Sequence, residues 1–158
     1  MIKIRPFVED DRRFCVRSFA MGYARSPFAK GASTTYLAGL MGALLDHPDW
    51  TTLVYADGDV ILSWIVFARG RLGWVQTRKA FRARHMAGGL VSVAEENGMG
   101  TPNDLAVCTN VKHIDGAGTP DARDWLKRLS IKMRFRPYLL TEAAWEVERG
   151  MVTPRAAA

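Results

Sequence analysis

The sequence has few of the residues that bind metals or form disulfides. Its 158 residues include two cysteines, Cys15 and Cys108, and three histidines, His47, His85 and His113. Neither cysteine lies in a Cys-x-x-Cys or Cys/His spacing and the histidines are scattered, so the pattern predicts no metal centre. We expect Cys15 on the inner face of a helix and Cys108 in a strand, both as small apolar core residues.

Long hydrophobic runs are also absent. The longest apolar segments are much shorter than the about 20 residues that a membrane-spanning helix needs. No secretory signal is present either, so the sequence favours a cytoplasmic protein without a membrane partner.

Acidic residues are fewer than basic ones. The chain has 16 Asp and Glu against 22 Lys and Arg, which gives a net charge of +6. Such a surplus favours anionic partners: nucleic acid, a phosphate-bearing cofactor or an acidic surface. A solvated, arginine-rich surface would produce the same balance, so charge alone does not select a partner.

Length and composition are those of one globular domain. The chain is 48% hydrophobic and 24% charged, which is ordinary for a folded protein of this size. We expect a single domain over residues 1–150, followed by a flexible C-terminal tail at residues 151–158.

Hydrophobic periodicity predicts an α/β (α+β) domain with the element order β-α-α-β-β-β-α-β-α-β. Its mixed, mostly antiparallel central sheet is flanked by helices, and Asp57-Gly58 is a strong hairpin turn. Helices are predicted from Glu9, from Ser33 or Thr34, from near Arg82 and from Thr119, with a short terminal helix at Thr141–Arg149. The predicted strands are Met1–Phe7, Thr51–Ala56, Val60–Phe67, Leu72–Thr77, Leu105–Thr109 and Lys132–Leu140.

The segment Trp74–Ala87 resembles the acetyl-CoA motif of the GCN5-related N-acetyltransferases (GNAT). That motif is a strand, a short loop and then Arg/Gln-x-x-Gly-x-Gly/Ala at the start of a helix. Arg82 matches its first position, His85 its first glycine and Ala87 its final Gly/Ala. Together with the element order, this makes the chain similar to that family over about residues 1–140.

The resemblance implies a site for acetyl-CoA. In the family the strand offers backbone hydrogen bonds to the pantetheine arm, and the helix N-terminus binds the pyrophosphate through free N–H groups. The sequence departs from the motif because His85 replaces the key glycine and Ala83 occupies another position where glycine is common. The implied cofactor-binding residues are Val75, Gln76, Thr77, Arg82, Ala83, Arg84, His85, Met86 and Ala87.

A cluster of four cations precedes the predicted third helix. They are Arg78, Lys79, Arg82 and Arg84, and at a helix N-terminus they would oppose the helix dipole unless an anion were bound. Nucleic-acid binding through this cluster with Arg69 and Arg71 is a weaker hypothesis, because no recognised nucleic-acid motif accompanies these residues.

The catalytic residues that the resemblance implies are harder to find. The strand Leu72–Thr77 contains no Asp or Glu to act as the base, and Leu126 occupies the position where the family often has a tyrosine as the acid. Asn110 fits a position that often holds asparagine. Tyr138, Tyr36 and Ser26 are further candidate donors, Ser26 because the loop between the first two helices borders the substrate in this fold.

The chain also resembles acetyltransferase-like proteins encoded by tailed bacteriophages. The segments that carry this resemblance are Arg17–Phe19, Arg25–Gly31 and Val60–Phe67. Two functions therefore stay open. One is an acetyl-CoA-dependent N-acyltransferase. The other is a catalytically inactive phage protein that acts as a virion component or binds a host protein, with Trp145 on the terminal segment as a candidate contact.

Overall fold

The computed structural model describes residues 1–25, 29, 31–82, 84–102, 104–105, 134–135 and 138–155. It contains one mixed sheet and four α-helices within that part of the chain. The strands are β1 (Ile2–Pro6), β2 (Thr51–Asp57), β3 (Val60–Ala68), β4 (Arg71–Thr77), β5 (Asp104–Leu105) and β6 (Arg134–Phe135). The helices are α1 (Arg12–Tyr23), α2 (Thr34–Asp46), α3 (Met86–Ala94) and α4 (Leu139–Glu148).

The six strands lie in the sheet in their chain order. β1 to β4 are antiparallel neighbours, whereas β5 pairs in parallel with β4 and with β6. The predicted hairpin after Asp57 is confirmed, since Gly58 supplies a φ of 57° between β2 and β3. A mixed, mostly antiparallel sheet flanked by helices was therefore predicted correctly.

Helices cover both faces of the sheet. The central strand β3 is buried from Ile61 to Ala68, as expected for a strand that packs on both sides. On one face, Trp64 and Val66 pack with the inner residues of α1, α2 and α4. On the other face, Ile65 and Phe67 pack with the inner residues of α3.

The first two helices form where the sequence predicts them. Cys15 is fully buried on the inner face of α1, in agreement with the prediction. Ser33 caps α2, because its hydroxyl accepts a hydrogen bond of 3.0 Å from the backbone N–H of Tyr36.

The start of α3 differs from the prediction. A 3₁₀ turn at Lys79–Phe81 comes first, and α3 begins at Met86 rather than near Arg82. The reason is the backbone of His85, whose φ of 57° and ψ of 16° lie in the left-handed region and cannot continue a right-handed helix. The basic residues therefore precede the first turn of α3.

The C-terminal region differs at one boundary. The predicted last strand extended to Leu140, but Leu139 and Leu140 begin α4, because they are buried with Ala143 and Ala144 at helical spacing against α2. Arg155, in the segment expected to be a tail, donates hydrogen bonds to the carbonyls of Pro48 and Trp50. The predicted helix from Thr119 and most of the predicted strand Leu105–Thr109 lie outside the described residues.

Candidate cofactor-binding site

The second half of β4 turns alternate backbone groups toward β5. The N–H of Arg78 donates to the carbonyl of Leu62 at 2.9 Å, so this pair of residues is hydrogen-bonded across β3 and β4. Bonded and non-bonded pairs alternate in an antiparallel ladder. Gln76, opposite Trp64, therefore bonds to β3, whereas Val75 and Thr77 direct their N–H and C=O groups to the β5 side.

On that side, the described pairing of β4 with β5 involves only Arg71 and Leu72. The carbonyl of Thr77 accepts a hydrogen bond of 3.4 Å from Nε of Arg82. Among the three β4 residues implied by the resemblance, Val75 directs its N–H and C=O, and Thr77 its N–H, toward the β5 side without a partner among the described residues. The Gln76 carbonyl instead accepts a hydrogen bond of 2.8 Å from the buried hydroxyl of Ser63.

The N-terminus of α3 presents free backbone donors next to this edge. The first intrahelical bond there runs from Gly89 N–H to the carbonyl of His85, so the N–H groups of Met86, Ala87 and Gly88 have no partner within the helix. No side chain caps this end. His85 is the one non-glycine residue with positive φ among the residues that the structure describes, and it occupies the position where the motif has glycine.

The cations around this helix start have different surroundings. Arg78 is structural: its guanidinium lies 4.5 Å from the centroid of the Phe14 ring, and its Nε donates to the carbonyl of Ile61. Lys79, Arg82 and Arg84 are exposed, and within the described residues none of them has a carboxylate partner. Arg84 also packs on an aromatic ring, with its guanidinium 5.2 Å from the centroid of Phe81. Lys79, Arg82 and Arg84 are exposed cations that can approach an anion at the start of α3.

The remaining two arginines of the nucleic-acid hypothesis lie elsewhere. Arg69 and Arg71 are exposed at the N-terminal end of β4, whereas Arg78 and Arg82 follow its C-terminal residue. Six extended residues, Leu72–Thr77, lie between Arg71 and Arg78, which corresponds to about 20 Å. Arg69 and Arg71 therefore lie apart from the four cations at the start of α3.

The candidate catalytic residues are only partly described. Tyr138 and Tyr36 line the same cavity between α2 and α4, on the face of the sheet that α1 covers. Ser26, Asn110, Ala83 and Leu126 lie outside the described residues. In the part of the chain with described side chains, no cluster of three or more His, Cys, Asp or Glu residues is arranged to hold a metal ion.

An aromatic connection between this cavity and β4 was not predicted from the sequence. Tyr23, which lines the cavity, lies with its ring centroid 6.2 Å from that of Trp74. The indole N–H of Trp74 donates to the side-chain oxygen of Gln76 at 3.1 Å. The signal was present in the sequence, since Phe19 and Tyr23 are four residues apart on α1, and Trp74 and Gln76 share one face of β4.

Comparisons with solved structures agree with this architecture. A possible acetyltransferase from Clostridium difficile 630 is 20% identical, with a TM-score of 0.51 over 61% of this chain and 70% of the other. The aminoglycoside N-acetyltransferase AAC(6')-Iy, solved in complex with CoA, is 11% identical, with a TM-score of 0.56 over 86% of this chain and 91% of the other. The sequence matches no protein-family model and no curated protein.

These similarities establish the fold. The chain has the mixed α/β architecture of the GNAT acetyltransferases, as its sequence predicted. None of the four helices described here is long and apolar enough to cross a membrane.

Proposed function

We propose that the chain is an acyl-CoA-dependent N-acyltransferase that uses acetyl-CoA. The observation that carries this proposal is the left-handed backbone of His85. It ends the loop after β4 and leaves the N–H groups of Met86, Ala87 and Gly88 without a partner among the described residues, at the position where the acetyl-CoA motif places its pyrophosphate site.

The residues present fit such a cofactor. The free N–H groups of α3 and the side chains of Arg82 and Arg84 supply donors and positive charge for a pyrophosphate. The backbone of Val75, which has no described partner on the β5 side, supplies a donor and an acceptor for an amide-containing arm. When bound, acetyl-CoA would supply an activated acyl group, and the protein would contribute positioning and polarisation of the thioester carbonyl.

Calorimetric titration with acetyl-CoA, and with CoA alone for comparison, tests this proposal. Binding in the micromolar range should be weakened at least about tenfold in the Arg82→Ala/Arg84→Ala variant, because each exposed guanidinium contributes a charge-assisted contact of about 1.5–3 kcal/mol. The matched control is Arg69→Ala/Arg71→Ala, which removes the same charge at the opposite end of β4.

Comparing the acetyl-CoA affinities of the two double variants distinguishes binding at a specific site from a general effect of positive charge. If both weaken acetyl-CoA equally, the interaction is non-specific and the assignment to α3 is wrong. If the wild-type chain does not bind acetyl-CoA at millimolar concentration, the acyltransferase proposal falls.

The alternative is a catalytically inactive binding module, in a phage virion or against a host protein. Two observations favour it: β4 has no Asp or Glu, and Trp145 is 43% exposed on α4. Trp145→Ala should then weaken association with purified phage particles while acetyl-CoA binding stays undetectable. Absence of the chain from those particles would remove the virion form of this alternative.

A further inference from the structure

A cavity of about 210 Å³ lies between the C-terminal end of α1, the N-terminal half of α2 and the start of α4. Its floor is apolar and includes Leu37 and Leu40, which are 1% and 5% exposed. Three aromatic side chains form its rim, and they are partly open to solvent: Tyr36, Tyr138 and Trp145. A wholly apolar cavity of about 150 Å³ is large enough for benzene, so this one accommodates a group slightly larger than one aromatic ring.

The lining chemistry restricts the charge of the occupant. The polar atoms that the described lining residues offer are the phenol hydroxyls, the Thr141 hydroxyl and the indole N–H of Trp145; none of these residues carries a carboxylate or a cation. A highly charged ligand would lose hydration there without an ionic partner. A ligand with an apolar body and a single small polar group is the class that such a pocket selects.

Two aromatic side chains, Tyr23 and Trp74, connect the cavity to the strand of the proposed cofactor edge. Tyr23 belongs to its lining and packs edge-on against Trp74 of β4. Trp74 in turn holds the side chain of Gln76, which lies between Val75 and Thr77. A ligand in the cavity would therefore lie on the α1 side of the strand whose backbone is proposed to hold the acyl donor.

The absence of a carboxylate from β4 gives this position a chemical meaning. Acyl transfer requires an uncharged amine, and β4 has no carboxylate to remove a proton from an ammonium ion. An apolar environment disfavours the charged form of an amine and lowers its pKa. A pocket of this composition would favour the nucleophilic form without a dedicated general base.

We propose that this cavity is the acceptor subsite and takes a primary amine carried on an uncharged apolar group of about one ring. This inference rests on the proposed acyltransferase function. In the reaction, the amine nitrogen bonds to the acetyl carbonyl carbon, the carbon–sulfur bond breaks, the nitrogen loses one proton and the sulfur takes up one. Polyamines and aminoglycosides, which carry several charges, do not fit this lining.

Benzylamine is the probe, and its binding is followed by calorimetry and by the fluorescence of Trp145, assigned with the Trp145→Phe variant. Ala32→Phe places a ring inside the cavity and should weaken benzylamine at least about tenfold. The control is Thr35→Phe, which adds the same side chain at an exposed position of α2 that does not line the cavity, and its affinity should stay within about twofold of wild type. Tyr138→Ala is a second test, because Tyr138 is 60% exposed and its truncation spares the core.

The same protein is assayed for N-acetylbenzylamine by mass spectrometry, with spermidine as the competing acceptor. Product that is lost in Ala32→Phe and kept in Thr35→Phe supports the inference. It is overturned if spermidine binds as well as benzylamine, or if Ala32→Phe and Thr35→Phe behave alike. Acetyl-CoA binding without benzylamine binding overturns the acceptor subsite and leaves the proposed function standing. Benzylamine binding without acetyl-CoA binding overturns both.

Discussion

Gly73 and Trp50 are packed so closely that no side chain fits between them. A Cβ added to Gly73 would lie 2.6 Å from a ring carbon of Trp50 and 2.9 Å from the carbonyl oxygen of Val66. Trp50 is 2% exposed and part of the core under α4. The indole therefore cannot move away without disturbing the packing of α4 on the sheet.

Gly73→Ala should lower the free energy of unfolding by about 1–3 kcal/mol, because the added methyl group overpacks the core. Gly39→Ala is the control, and it should change the free energy of unfolding in the opposite direction. Gly39 lies in α2, and a Cβ added there would have no atom within 4 Å. Alanine there should raise stability by up to about 1 kcal/mol through helix propensity. Urea denaturation measures both, and equal effects of the two substitutions would contradict the packing argument.

His85→Gly should stabilise the chain and preserve or strengthen acetyl-CoA binding. A side chain in the left-handed region costs about 1–2 kcal/mol, which glycine does not incur. His85→Ala is the matched variant, since it removes the imidazole but keeps the Cβ and its strain. The midpoint of thermal unfolding should therefore be higher for His85→Gly than for His85→Ala.

The acetyl-CoA affinities of these two variants show whether the imidazole obstructs the cofactor or contacts it. If His85 obstructs the phosphate path, both substitutions keep or improve the affinity for acetyl-CoA in calorimetry. Loss of binding in both would mean that the imidazole itself contacts the cofactor, and the view of His85 as an obstacle would be wrong.

The sequence predicts those parts of the fold that depend on local signals. The cap at Ser33, the hairpin after Asp57 and the buried strand β3 each follow from residue types within a few positions. The start of α3 was misplaced because a histidine in the left-handed region has no distinctive sequence signal. The early start of α4 at Leu139 was missed because a short apolar run is compatible with a strand or a helix until its partner, α2, is known.

The candidate site was predictable only in part. The motif locates the segment, but it does not show that Arg78 packs on Phe14 and donates to the carbonyl of Ile61. Strand alternation, which separates Gln76 from Val75 and Thr77, needs the register of β3 against β4. The cavity was beyond sequence reasoning, since its lining comes from three segments far apart in the chain.

Cys15 should be unreactive in the native state. It is fully buried, and burial, with a smaller effect of the Asp11 carboxylate, raises the pKa of its thiol to about 12. In a Cys108→Ser variant, iodoacetamide at pH 8 should label Cys15 only after denaturation. Labelling of the folded chain at the rate of a free thiol would contradict the burial of Cys15 on the inner face of α1.

The same thiol gives a pH dependence of stability. Because the folded pKa lies above the unfolded value of 9.0, the stabilisation is complete below pH 9.0 and is lost as the pH rises toward about 12. The loss attributable to Cys15 is at most about 1.4 kcal/mol per pH unit in that window. Cys15→Ala should flatten the curve of unfolding free energy against pH between pH 9 and 11, and an unchanged slope would exclude Cys15 as the cause.

His47, at the end of α2, reaches α4 through Nε2, and its Nδ1 is bound by the backbone of the loop that follows. Its Nδ1 accepts a hydrogen bond of 3.1 Å from the backbone N–H of Asp49, so the proton lies on Nε2 and is donated to Glu146 at 2.7 Å. His47 is 1% exposed. Removing it would leave a cavity and an unsatisfied backbone N–H.

His47→Ala should therefore cost about 2–4 kcal/mol, whereas Glu146→Gln, which keeps an acceptor oxygen, should cost about 0.5–1.5 kcal/mol. Glu148→Ala is the control for the loss of a carboxylate, because Glu148 is an exposed residue of the same helix; its effect should stay within about 0.5 kcal/mol. Urea midpoints at an unchanged m-value measure these differences. The His47→Ala/Glu146→Ala double variant should lose less than the sum of the single variants His47→Ala and Glu146→Ala, since each of these removes the same hydrogen bond. Additive losses would mean that the two side chains do not stabilise the packing of α4 through each other.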